Sequence, residues 1–114
     1  MSKFVTLVVE DDVLQREVLA DLLRDHGLEV VECSTAEAAE LVVVTTGTEL
    51  LALVTDNSLA GEMTGVQLAE YAKRKFPHLK VIVVSGQGPP YVPHNTTFLM
   101  KPYQPAELLD VVLN

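Results

Sequence analysis

Phe4-Val5-Thr6-Leu7-Val8-Val9-Glu10-Asp11-Asp12 passes from an apolar, β-branched-rich run straight into three acids. Such a run, bounded on one side by charge, reads as a strand buried on both faces. The same design recurs twice. Leu50 to Thr55 is a second apolar run with Asp56 just past it, and Thr96 to Met100 is a third, followed by Lys101 and Pro102. In an open parallel α/β sheet, the edge beyond the strands' C-terminal ends is where ligands bind. Glu10, Asp11, Asp56 and Lys101 gathered there suit a divalent cation and a transferred phosphoryl group.

The segments between these strands read as helices. Asp12 can N-cap a helix with Gln15 at its third position, and Leu14, Val18, Leu19, Leu22 and Leu23 recur at helical spacing up to Gly27. Leu28 to Cys33 is a shorter strand. Ser34 with Glu37 forms a capping-box pattern, opening a helix that buries Ala38, Ala39, Val42 and Val43 and stops at Gly47. Thr64 with Gln67 repeats the pattern. That helix extends to about Lys75, with Leu68, Ala69, Ala72 and Phe76 on one face and Pro77 beyond. Val81 to Val84 is the most apolar strand and is expected to be a central one, inside the sheet rather than at its edge. Pro105 opens a last helix through Leu113. Strands alternating with helices predict a parallel sheet covered on both faces.

Residues Gly86 to Pro93 interrupt the alternation. Two glycines and three prolines there oppose a helix, and a loop is expected.

Composition narrows the function. The 114 residues predict one domain spanning 1–114, with 48% hydrophobic residues and a formal net charge of −8. The acidity argues against direct nucleic-acid binding and against anionic membrane surfaces. No stretch reaches the roughly 18 apolar residues of a membrane span, and the N-terminus lacks a secretory pattern, so a cytoplasmic location is expected. Cys33 is the one cysteine, read as a buried structural thiol. His26, His78 and His94 are dispersed beside turn residues and read as surface residues.

At the strand ends the chemistry becomes specific. A carboxylate such as that of Asp56 can attack phosphorus and form an acyl phosphate. Nucleophile and phosphoryl group are both anionic, so the attack needs neutralisation. Glu10 and Asp11 suit Mg²⁺, and Lys101 supplies a point charge for Asp56 and then for a phosphoryl oxygen. Ser85, ending the Val81 to Val84 run, offers a hydroxyl.

The chain resembles the receiver domain of two-component response regulators over essentially its whole length. The resemblance rests on Val8-Val9-Glu10-Asp11-Asp12, Val54-Thr55-Asp56, Met63-Thr64-Gly65, Val83-Val84-Ser85-Gly86 and Phe98-Leu99-Met100-Lys101-Pro102-Tyr103. It implies a flavodoxin-like three-layer fold with strand order 2-1-3-4-5. It implies that Asp56 accepts phosphate from a histidine kinase or a histidine phosphotransfer protein. Glu10, Asp11, Asp56 and the backbone carbonyl of Ser58 would hold Mg²⁺, with Asp11 ahead of Glu10 as a direct ligand. Ser85 and Phe98 would form the conformational switch, and the Lys101–Pro102 peptide would be cis.

Two departures from the family pattern stand out. The loop after Asp56 is one residue longer than usual, with Ala60 where proline is common. The stretch from Ser85 to Lys101 is shorter than usual and its prolines oppose a helix, so the usual fourth helix is expected to be replaced by a loop and dimerisation through that face is not expected. Pairing of two copies through the first and last helices stays open. A module that binds partners without phosphorylation is the alternative reading. A flavin carrier ranks lower, because acids rather than a phosphate cradle occupy the strand ends.

Overall fold

The structure, a computed structural model, describes residues 5–88 and 91–114. Five strands form one parallel sheet: β1 (Val5–Val9), β2 (Glu29–Cys33), β3 (Leu50–Asp56), β4 (Lys80–Ser85) and β5 (Thr97–Met100). Their spatial order is β2-β1-β3-β4-β5, the flavodoxin-like order expected from the sequence. Among the described residues the α-helices are α1 (Val13–Arg24), α2 (Ala36–Thr46), α3 (Gly65–Lys75) and α4 (Pro105–Leu113).

Each face of the sheet carries its own apolar layer. Leu7, Val9, Leu53, Val81 and Val83 point to one side, against Ala39 and Val43 of α2 and Leu68, Ala69 and Ala72 of α3. Val8, Val54, Ile82 and Val84 point to the other, against Leu19 and Leu23 of α1 and Leu108 and Val112 of α4. Successive strand residues alternate between layers, so a strand buried on both faces must be apolar throughout. β1, β3 and β4 meet that demand apart from the buried Thr6, Thr55 and Ser85.

The structure adjusts several boundaries. Asp56 is the last residue of β3, paired with Val84, rather than the first residue past it. Phe4, expected to begin β1, lies outside the described residues, as do Pro89 and Pro90. The α2 cap is Thr35 rather than Ser34: its side chain accepts from the Ala38 amide at 3.1 Å. Thr35 also makes an isolated parallel bridge to Ala60, which holds it extended, so the helix begins one residue later. In consequence Ala36 is buried and Ala38 is exposed. The Thr64–Gln67 capping box is complete in both directions, at 3.1 and 2.9 Å. Among the described residues no helix lies between β4 and β5, so the last helix of the sequence reading is α4 here. Among them, too, no helix is long and apolar enough to cross a membrane.

Candidate functional site

Parallel strands all end on the same edge, so β1, β3 and β5 deliver their terminal charges to one place. Carboxylate oxygens of Glu10, Asp11 and Asp56 lie within 4.8 Å of one another. Lys101, one residue past β5, enters from the side. Its Nζ is 3.1 Å from Asp56 Oδ1, 3.2 Å from Glu10 Oε1 and 2.7 Å from Gln15 Oε1. Glu10 is the buried acid, Asp56 is half-buried and Asp11 is exposed.

The electrostatics are those of an acidic site with one compensating cation. Burial, the largest effect, pushes the Glu10 carboxyl above its ordinary range, and the Asp56 charge adds to this; the Asp12 amide and Lys101 pull back without cancelling it. For Lys101, burial works against the charge, yet Asp56 and Glu10 outweigh it and hold the ammonium above the usual lysine range. Tyr103, two residues further along the chain, has its phenol raised chiefly by burial.

Backbone contacts fix the frame around these charges. The Glu10 amide donates to Cys33 O at 3.1 Å, and Glu10 Oε2 accepts from the Asp12 amide at 3.1 Å. The Lys101 amide donates to Ser85 O at 2.8 Å, tying β5 to the end of β4. The Lys101–Pro102 peptide is cis. Gly65 opens α3 directly against Asp56: a Cβ there would collide with the Asp56 carbonyl oxygen, so a side chain is excluded.

The remaining sequence candidates lie around this cluster. Ser85 is buried, and its Oγ accepts from the Gln87 amide at 3.1 Å. Phe98 is half-buried against the layer that contains Val81 and Val83. The register pairs Phe98 with Val83 and Met100 with Ser85, so Phe98 and Ser85 share one face of the sheet. Ser58 is exposed in the loop that follows Asp56. The donor set is all oxygen and mostly anionic, which suits a hard divalent cation such as Mg²⁺.

Four neighbours escaped the sequence reading. Gln15 leaves its capping role to bind Lys101. Arg16 Nη1 donates to Glu10 O at 2.8 Å. Asn57 Oδ1 accepts from the Val66 amide at 3.1 Å, tying α3 to the end of β3. Glu37 reaches from α2 to the loop after Asp56. The one-residue excess in that loop was the available signal for the last of these.

A shallow apolar groove of about 590 Å³ adjoins Lys101, lined by Leu14, Val18 and Leu22 of α1 with Pro102, Tyr103 and Pro105. Leu14 and Val18 are 73% and 71% exposed, so this stripe of α1 faces out while Leu19, Ala20 and Leu23 face the sheet.

Comparison with known proteins agrees with this geometry. Residues 6–113 match the response regulator receiver domain. Nodulation protein W of Bradyrhizobium diazoefficiens is 32% identical over 98% of this chain, which spans 51% of that protein. The response regulator protein FleR of Pseudomonas aeruginosa is 33% identical over 93% of this chain, which spans 23% of it. The crystal structure of the receiver domain from the hybrid histidine kinase CckA superposes with a TM-score of 0.83 at 29% identity, covering 96% of this chain and 95% of that one. Charges converging at one sheet edge, the 2-1-3-4-5 order and the match over nearly the whole chain lead to one conclusion: this chain belongs to the response regulator receiver domain family.

Proposed function

We propose that the chain is a phosphoacceptor in a two-component phosphorelay, taking a phosphoryl group on Asp56 from a histidine kinase or histidine phosphotransfer protein in the cytoplasm. One observation carries this reading: three carboxylates within 4.8 Å of one another face a single ammonium 3.1 Å from Asp56. A carboxylate so placed is oriented and partly neutralised.

An Asp56 carboxylate oxygen attacks phosphorus, the bond to the donor imidazole nitrogen breaks, and its electron pair leaves with the imidazole. Bound Mg²⁺, held by Asp11, Glu10, Asp56 and the Ser58 carbonyl, would supply the positive charge that lets anion approach anion. Lys101 passes from the carboxylate to a phosphoryl oxygen. The Ser85 hydroxyl now accepts from Gln87, so its own hydrogen is free to donate to another phosphoryl oxygen once it turns inward. Phe98, on the same face and half-buried, moves into the space that Ser85 leaves. The chain catalyses its own phosphorylation and dephosphorylation and acts on no separate substrate.

Acetyl phosphate with Mg²⁺ and intact-mass detection test the proposal. A single phosphoryl adduct on the wild-type chain, lost in Asp56→Asn, is the expected result. No wild-type adduct, or an undiminished one in Asp56→Asn, refutes it. The stretch between β4 and β5, which holds no helix among its described residues, favours one second reading, a binding module that works without phosphate. Partner binding indifferent to Asp56→Asn and to a beryllofluoride mimic would select that reading.

A further inference from the structure

Glu37 is the second residue of α2, and its carboxylate leaves its own helix. Glu37 Oε2 accepts from the Glu62 and Met63 amides, both at 3.1 Å, across 25 and 26 residues of sequence. Gly61 makes the approach feasible: its φ is +98°, and a Cβ there would sit 2.8 Å from Glu37 Oε1. Next to these contacts Thr35 pairs with Ala60. Residues 60–63 are therefore clamped to residues 35–37.

The other end of the same loop is clamped as well. The Asn57 amide donates to Val84 O at 3.0 Å, and Asn57 O accepts from the Gly65 amide at 3.0 Å. Between the two clamps lie only Ser58 and Leu59. Leu59 packs on the apolar layer beneath α2 and α3. The path of the Ser58 backbone, next but one to Asp56, is thus set by its two ends, one of them held jointly by the Thr35 backbone and, at residues 62 and 63, by the Glu37 side chain.

We propose that Glu37 is a positioning residue for the divalent-cation site: by holding residues 61–63 it fixes the Ser58 carbonyl, and so sets cation affinity without touching the cation. This rests on the reading of the acidic cluster as a Mg²⁺ site. The carboxylate is well suited to the task. Its own helix amide and the Met63 and Glu62 amides hold it below the usual carboxylate range, so it stays charged through neutral pH. Glu40, Glu62, Glu70 and Arg74 line the same surface groove.

The test is a Mg²⁺ titration of the unphosphorylated chain, followed by backbone amide shifts, with far-UV circular dichroism confirming the fold of each variant. Glu37→Ala should weaken Mg²⁺ binding about threefold to tenfold, the effect of roughly one net hydrogen bond. Glu37→Gln keeps a carbonyl oxygen able to accept both amides and should recover most of the affinity. Gly61→Ala attacks the contact from the opposite side. It should weaken binding similarly and add little on top of Glu37→Ala. Unchanged affinity in Glu37→Ala, no recovery in Glu37→Gln, or full additivity with Gly61→Ala overturns the proposal. Phosphorylation is scored separately. Weakened Mg²⁺ binding in Glu37→Ala without any wild-type phosphoryl adduct would refute the phosphoacceptor role and support the positioning role. An adduct with unchanged Mg²⁺ affinity would do the reverse, and a wild-type chain that binds no Mg²⁺ refutes both.

Discussion

Lys101 is the residue on which the site balances. It answers Asp56 and Glu10 together, and Gln15 Oε1 takes a third donor position at 2.7 Å. The folded ammonium is held above its ordinary value of 10.5, so its contribution to stability is fully present below that value. That contribution is lost only as pH rises through the raised folded pKa, and changes around neutrality leave it intact. Removing the charge is a different matter. Lys101→Met leaves buried Glu10 and half-buried Asp56 facing each other with no cation. Unfolding stability at neutral pH should fall by about 1–3 kcal/mol without Mg²⁺, and Mg²⁺ should return part of it. Urea unfolding with and without Mg²⁺ measures both; an equal loss in the two conditions would contradict the balance. Glu10, Asp56 and Lys101 were legible in the sequence because each ends or follows an apolar run of strand length, although the run before Lys101 forms the half-buried edge strand β5. The part played by Gln15 was not. Its position promised a reciprocal cap, but Glu10 Oε2 already accepts from the Asp12 amide, which frees the Gln15 side chain for Lys101. That competition is three-dimensional and leaves no mark on spacing.

Among the elements, the loop after Asp56 and the start of α2 behave as one unit. Strand and helix order could be followed from apolar runs and caps, and the Thr64–Gln67 box was fixed by its own two residues. The sequence placed the α2 cap at Ser34, but its neighbour Thr35 takes that role. The Thr35–Ala60 bridge decides between them, and pattern cannot show a pairing 25 residues apart. With Thr35 as cap, Glu37 becomes the second helical residue, outside capping-box reach, and is free to bind the loop. A pH prediction belongs here. The folded Glu37 carboxyl lies below its ordinary value of 4.5. Its contribution is therefore present above about that pH and is lost as pH falls through the lower folded value. The Glu62 and Met63 amide resonances should shift together below about pH 4.5 in the wild type and stay flat in Glu37→Gln. A midpoint above that value, or the same titration in Glu37→Gln, would show that another acid is responsible.

At the scale of the whole molecule, the two apolar layers use their helices differently. α1 is divided: Leu19, Ala20 and Leu23 pack on the sheet, whereas Leu14 and Val18 line an open groove with Pro102, Tyr103 and Pro105 beside Lys101. Helical spacing places Leu14 and Val18 on a common stripe but cannot say what that stripe meets. The proposed donor must bring a phosphohistidine to Asp56, and this groove borders the same sheet edge. Docking of that proposed donor would give a role to an apolar stripe that contributes little to folding. Leu23→Ala should cost about 2–5 kcal/mol, as for other fully buried leucines. The double variant Leu14→Ala/Val18→Ala should change unfolding stability by less than about 1 kcal/mol, because both side chains are already in solvent. The same double variant should accept phosphate from acetyl phosphate within about twofold of the wild type. Transfer from a phosphorylated kinase or phosphotransfer protein should slow about tenfold or more, since two docking side chains worth about 1 kcal/mol each are removed. A transfer rate that stays at the wild-type value would mean that the donor approaches over another face, and that the groove between α1 and Pro105 serves something else.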